Sequence, residues 1–342
     1  MTPHTDRPGG PEGQGRPYGS EEGTDGTAGP ASTASPASSA APASPASPDV
    51  QGLASSLSDV GGGRTALRME RRLAHPPGRV WEAITRPAHL ARWFPSEVSL
   101  DLRPGGEIGF HFPGDTGPGM TGRVTDADEP RLFAFTWGED HLSWEITPDG
   151  DGSRLLLVHT FGDRFGAASF ASGWQICLMA LGQVMEGGPV DVEQDTRGAL
   201  HEAYLARFDE LTRGLAEETG GGGRRVRFER QLVRPAGTVW SRLTGGVEPS
   251  TGSPVPPGFT ADKVPAGPVT DVRAPELLAY AWHPEGEVRW ELGPGTGHGP
   301  RLVLTQTGPP DFDTDAALAA WRVRLEELAA GLVEAPEGGA HA

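Results

Sequence analysis

The chain has 342 residues, a net charge of −17 at pH 7, a single cysteine, and Gly or Pro at about one position in four. This length fits two domains. The acidity repels phosphate backbones and anionic lipid, which excludes nucleic acid and membrane surfaces as expected partners, and one cysteine excludes an internal disulfide framework.

Residues 1–63 carry few large apolar side chains and include "ASTASPASSAAPASPASP". Such a stretch buries too little surface to offset the entropy of ordering, so 1–63 is expected to be a disordered tail. Its first residues lack a basic segment followed by an apolar one, so no signal peptide is expected. No apolar run approaches the ~20 residues of a spanning helix. A cytoplasmic protein is the expectation.

"TALRMERRLA" alternates as a strand, and "HPPGRVWEAIT" opens a helix at its prolines, with Val80, Trp81 and Ile84 at helical spacing. "PAHLARWF" is a second short helix. Strands follow at "SEVSLDL", "EIGFHF", "GPGMTGRVTDAD", "RLFAFTW", "HLSWEIT" and "RLLLVHTF", joined by Gly-rich turns, as one antiparallel sheet. "FGAASFASGWQICLMALGQVME" places Phe170, Trp174, Cys177, Leu178 and Leu181 at three- and four-residue spacing, a helix that covers the sheet's apolar face. A last helix is predicted through "TRGALHEAYLARFDELTRGLAEE", ending the first domain, 64–218. "TGGGG" at 219–223 reads as a flexible linker.

The chain then repeats itself. "LRMERRLAHPPGRVW" (67–81) and "VRFERQLVRPAGTVW" (226–240) share eight of fifteen residues without a gap. "VTDADEPRLFAFTW" recurs as "VTDVRAPELLAYAW", Trp144 answers to Trp290, and Trp174 answers to Trp321. The repeat is a whole domain, 224–332, abridged where Pro/Gly/Ser-rich "TGGVEPSTGSPVPPGF" stands in place of "HLARWF" and "PGGEIGFHF". Residues 333–342 are expected to be a second disordered tail.

The ordered set "P…VW", "LARWF", "RPGGEIGF", "VTDADEPRLFAFTW", "WEIT…GSRLLLVHT", "GWQICLMAL" and "GPVD" resembles the SRPBCC, or START-like, superfamily in the branch of activator of heat-shock-protein-90 ATPase homologues. The resemblance covers 64–218 well and 224–332 more weakly. It implies an α+β, helix-grip fold in two tandem copies, each an antiparallel sheet wrapped around a long C-terminal helix. It also implies a cavity between sheet and helix. Members bind hydrophobic small molecules, act as polyketide cyclases or aromatases, or contact a chaperone, and fold alone does not choose among these.

The candidate ligand-binding residues are Trp93, Phe94, Phe110, Phe112, Trp137, Trp144, His159, Phe161 and Trp174. The aromatics either fill the core or line an apolar pocket. His159, where the second copy has Gln306, either faces the cavity and donates to a ligand or is a satisfied or exposed strand residue. No histidine spacing makes a metal site, and no cofactor is expected. Cys177 sits among apolar residues as a structural thiol. "DFDTD" (311–315) fails as a calcium loop at Ala316 and Arg322, and one of Asp313, Thr314 and Asp315 caps the next helix. Glu107 and Glu145 flank inward aromatics and so point outward, leaving no catalytic constellation. The expected function is non-enzymatic binding of a hydrophobic small molecule in the first domain, with the two repeats packed on each other. The alternatives are a polyketide cyclase-like enzyme, which needs a buried His or carboxylate facing the pocket, and a co-chaperone-like interaction module, which needs a filled cavity and an exposed apolar patch.

Overall fold

The computed structural model describes residues 54–334 except 115, 118, 192–195, 283–285 and 298. The predicted tail at 1–53 and the predicted tail at 335–342 lie outside the described residues. Residues 54–61 do not belong to a tail. They form strand β1 (Ala54–Gly61), paired antiparallel with β2 (Arg64–Leu73) from Ala54 opposite Glu70 to Gly61 opposite Arg64. β1 has few apolar side chains to announce it, because it is an edge strand held by backbone pairing.

Helix α1 (Pro77–Thr85) starts with Pro77 inside its first turn and buries Val80, Trp81 and Ile84. Helix α2 (Pro87–Leu90) follows, and Trp93 just beyond it donates its indole N–H to the Ala83 carbonyl at 3.0 Å. Then come β3 (Glu97–Leu100), β4 (Glu107–His111), β5 (Met120–Asp128), β6 (Leu132–Trp137), β7 (Asp140–Asp149) and β8 (Gly152–Phe161). The eight strands form one sheet in the order β1-β2-β8-β7-β6-β5-β4-β3. α3 (Ala167–Met185) lies on it, with α4 (Thr196–Arg207) against α3. The stretch Arg164–Met185 is long and apolar enough to cross a membrane, against the expectation of no such run, but 67% of its apolar window is buried inside the protein.

The predicted helix through residue 218 stops early. After α4 the chain makes a 3-10 turn at Asp209–Leu211, then enters β9 (Leu215–Glu218), which pairs with β10 (Arg224–Gln231). "TGGGG" is therefore no linker but the turn of a β-hairpin. Thr219 N–H donates to Gly223 O at 2.8 Å, and Gly221 and Gly222 take φ of 104° and 85°, which glycine adopts without steric cost.

The second half continues with α5 (Ala236–Thr244), β11 (Ala266–Arg273), β12 (Leu277–Trp282), β13 (Gly286–Gly293), β14 (Arg301–Gly308) and α6 (Thr314–Glu334). Asp313 caps α6, accepting from Ala316 N–H at 3.0 Å. The second sheet runs β11-β12-β13-β14-β10-β9, the order of β5-β6-β7-β8-β2-β1 in the first, without partners for β3 and β4. Each sheet has a cis proline at the same turn, Pro130 and Pro275. The segment that replaces "HLARWF" still delivers an aromatic plug. Phe259 is fully buried against Trp240 and Trp290, with ring centroids 5.4 and 5.5 Å away, and its carbonyl accepts the Trp290 indole N–H at 3.1 Å.

The two halves touch through charged and polar side chains. Arg301 of β14 binds Asp163, which follows β8, through two hydrogen bonds of 2.9 and 2.6 Å, and also reaches Glu229 at 3.0 Å. Arg230 of β10 pairs with Glu202 of α4.

Candidate functional site

Between the first sheet and α3, aromatic rings fill the interior. Trp93, Phe94, Phe110 and Trp144 surround a void of only about 10 Å³, together with Phe133 and Phe135, room for one water at most. Trp93 meets Trp144 edge-to-face at 5.9 Å, and Phe94 lies 6.1 Å from Phe110. Phe161 is fully buried against Phe170 at 4.6 Å. Phe112 is half-buried and stacks on Trp137 at 6.0 Å. None of these six candidates lines an open space large enough for a ligand.

An open cavity of about 510 Å³ lies instead at the mouth of the grip, and three candidates, Trp137, His159 and Trp174, line it. α3 supplies one wall. Phe170, Trp174 and Cys177 fall four and three residues apart, one helical face. The ends of β6, β7 and β8 supply Trp137, Asp140 and His159. α4 adds Arg197 at the exposed rim and buried His201, and the second half adds Leu232, Val233, Thr296 and Gly297.

The polar end of this cavity is an ordered relay. The indole N–H of Trp174 donates to His159 Nδ1 at 3.1 Å. An indole can only donate, so Nδ1 is unprotonated and the imidazole proton sits on Nε2. Nε2 lies 3.0 Å from Asp140 Oδ2 and donates to it. Arg64 Nη2 stands 3.9 Å from the other carboxylate oxygen while donating to the carbonyls of Glu139 and Thr160. His159 is 3% exposed, and its place is readable in the alternation of β8, where Leu155, Leu157, His159 and Phe161 all face inward. Asp140 was not singled out, because it sits in the turn "WGED", where a carboxylate reads as a solvated loop residue. The β7–β8 register brings it to His159, setting Leu142 opposite His159 and Asp140 two residues along on the same face.

A second polar cluster borders the same cavity. His201 Nε2 faces the Gln231 carbonyl at 3.3 Å and Nδ1 faces Ser169 Oγ at 3.3 Å. Burial pushes His201 down to about 4, helped by the nearby Arg230 and Arg301 and opposed by the Gln231 carbonyl. Its ring is therefore neutral at pH 7, with the proton on Nε2, since a carbonyl only accepts. Burial likewise pushes the Cys177 thiol up to about 12, so it rests as the protonated thiol at neutral pH and reacts slowly. Glu107 and Glu145 are exposed on the outer face of the sheet. Among the described residues, no group of three or more His, Cys, Asp or Glu is placed to hold a metal ion.

The second sheet shows what the relay replaces. Trp321 donates to Gln306 Oε1 at 2.6 Å, the same bond that Trp174 makes to His159. Gly286 stands opposite Trp282 as Asp140 stands opposite Trp137, so that position carries no carboxylate. Trp282 folds down to donate to the Thr307 carbonyl at 2.5 Å and packs on Phe312 at 4.9 Å, which closes that mouth.

An antiparallel sheet gripping a long helix, with a cavity at its mouth, defines a START-like domain. The family model of activator of Hsp90 ATPase homolog 1-like protein matches residues 74–186, which makes the first half similar to that branch of the SRPBCC superfamily. Among solved structures, CalU16 from Micromonospora echinospora is 23% identical over 45% of this chain and 96% of its own, with a TM-score of 0.38. EF2215 from Enterococcus faecalis, a conserved protein of unknown function, is 19% identical over 46% and 91%, with a TM-score of 0.39. Aha1 from Colwellia psychrerythraea, a dimer in solution, is 16% identical over 36% and 97%, with a TM-score of 0.33. No curated protein matches the sequence.

Proposed function

We propose that this protein binds a hydrophobic small molecule carrying one hydrogen-bond donor, in the cavity at the mouth of the first sheet. The supporting observation is the contrast between a filled interior of about 10 Å³ and an open space of about 510 Å³ walled by Trp137, Phe170 and Trp174. That volume lies within the ~300–1,000 Å³ typical of small-molecule sites. The donor is argued from Asp140, a carboxylate that accepts from His159 and has lone pairs left for a ligand hydroxyl or amine. On the same reading the chain divides into a ligand-binding first domain, 54–211, and a second, 215–334.

Native mass spectrometry of the full chain tests this, followed by titration with the uncharged fluorophore N-phenyl-1-naphthylamine. An extra mass released on denaturation, or saturable fluorescence quenched in Trp174→Ala, is the expected result. A clean apo mass together with no fluorescence gain would sink the reading.

A second reading is favoured by one observation. A polyketide cyclase-like enzyme needs a buried histidine or carboxylate at its pocket, and the His159–Asp140 pair stands there. With the His159 proton already committed to Asp140, the carboxylate is the group placed to take a proton from a bound ligand. Incubation with a poly-β-keto thioester separates the two readings. Turnover lost in Asp140→Asn makes the protein an enzyme, and recovery of unaltered thioester makes it a binder.

A further inference from the structure

Two corresponding hairpins differ in length. β7 ends at Asp149 and β8 begins at Gly152, but β13 ends at Gly293 and β14 begins only at Arg301. The longer connection reaches across to the first half. Thr296 is held by all three of its polar groups. Its N–H donates to Gln231 Oε1 at 2.9 Å, its hydroxyl donates to the Asp163 carboxylate, and its carbonyl accepts from Ser169 Oγ at 2.9 Å. Asp163 and Ser169 belong to the first half. The fit is close, since a Cβ at Gly295 would lie 2.3 Å from Gln231 Oε1 and one at Gly299 would lie 2.1 Å from the Leu232 carbonyl oxygen.

The two mouths are closed by different means. Phe165 and Phe312 each stand nine residues before their helix tryptophan. Phe312 packs on Trp282 and shuts the second mouth. Phe165 turns away and lies under the Arg301 guanidinium, 5.9 Å from ring centre to charge. The first mouth is left without its own cover, and the loop from the second sheet stands over it.

Resting on the ligand reading above, we infer that the β13–β14 loop, with Leu232 and Val233, is a fixed wall of the first sheet's cavity, and that it selects ligands by the size of their apolar body. Both donors of Thr296 are committed, and the Leu232 and Val233 side chains have no polar group, so these three residues offer a ligand no side-chain donor and meet it by shape. Polar recognition stays with Asp140 on the first sheet. The second half is then part of one composite site and not a second receptor.

The test replaces residues 294–300 with the two-residue Gly-Asp turn of the first sheet, in the full chain. Two quantities are read: the dissociation constant for N-phenyl-1-naphthylamine, and the rate at which methyl methanethiosulfonate modifies Cys177, a lining residue only 8% exposed. Removing the wall is expected to weaken the fluorophore about tenfold and to speed thiol modification by about the same factor. Both values unchanged, with circular dichroism showing a folded second sheet, would overturn the inference. If the shortened chain does not fold, Thr296→Ala and Val233→Phe take its place. Thr296→Ala should speed Cys177 modification and Val233→Phe should exclude the fluorophore, and wild-type values in both would overturn the inference equally. Failure of the wild-type protein to bind the fluorophore counts against the ligand reading, and the Cys177 rate alone then decides whether the loop is a wall.

Discussion

Trp174 and Trp321 occupy one position in two copies of a fold, and each donates its indole proton to the strand beneath it. In the second sheet the acceptor is an amide, that of Gln306. In the first it is an imidazole, which passes the polarity on to Asp140 and so to solvent and Arg64. The same backbone plan thus gives a closed core in one half and a cavity with a polar end in the other. What separates them is a handful of side chains, His159 against Gln306, Asp140 against Gly286, and the turn of Phe165 against that of Phe312.

The largest expected effect separates the two tryptophans by packing. Trp321 is fully buried, so Trp321→Ala should cost about 3–5 kcal/mol in urea unfolding. Trp174 already borders an open space, so Trp174→Ala should cost about half as much. Equal losses would mean the cavity is not open in solution.

Next comes the acid limb of the contact between the halves. Below its ordinary value of 6.5, His201 takes a proton in the unfolded chain that the folded protein refuses until about 4. Stability should therefore fall by up to about 3 kcal/mol as pH drops through that window. His201→Gln should flatten the decline in thermal unfolding followed against pH, and an unchanged slope would assign the acid sensitivity elsewhere.

Asp163 titrates lower. Its burial raises the carboxyl, but hydrogen bonds from Arg301 and Thr296 and the Arg301 charge outweigh this and hold it below its ordinary 3.8. Its contribution is present above that pH and is lost as pH falls through the lower folded value. Asp163→Asn should cost about 1 kcal/mol at pH 7, allowing for the solvent screening of a carboxylate about a third exposed. Mutant and wild type should converge in strong acid.

The smallest effect is the sharpest comparison. His159→Gln keeps an acceptor for Trp174 and should change stability by less than about 1 kcal/mol. It should still weaken fluorophore binding, since Asp140 loses its positioning donor. Gln306→His should be equally mild and should create no binding, because no carboxylate stands opposite. Binding gained by Gln306→His would show that the histidine alone makes a site.

Much of this was legible in the residues. Period-two alternation placed β2 and β4 to β8, and helical spacing placed α1 and α3, because a half-buried element must repeat with its own geometry. The edge strands β1 and β9 were missed together, since "ASSLSDVG" and "LAEE" are held by backbone pairing and carry almost no apolar signal. "TGGGG" was misread for a related reason, as glycine serves a tight hairpin and a loose tether alike. Of the candidate site, the aromatics were recognised as one set but not divided into core and wall, because periodicity assigns faces and not volumes. Asp140 and Thr296 carry no pattern of their own. Each matters only through a neighbour brought near by a hairpin.

The hairpin of β9 and β10 has one more consequence. Because β9 belongs to the second sheet, only residues 212–214 connect the two halves, a span of no more than ~10 Å. Gly214 has φ of 69°, and a Cβ there would lie 2.6 Å from the Phe228 ring, so even this short joint is packed in place. A tether so short keeps the effective concentration of one half at the other high, and a released contact re-forms before the halves separate. Ligand exchange should therefore follow side-chain motion at the rim, around the 40% exposed Met120, on the nanosecond scale of rotamers and not the microsecond-to-millisecond scale of a hinge.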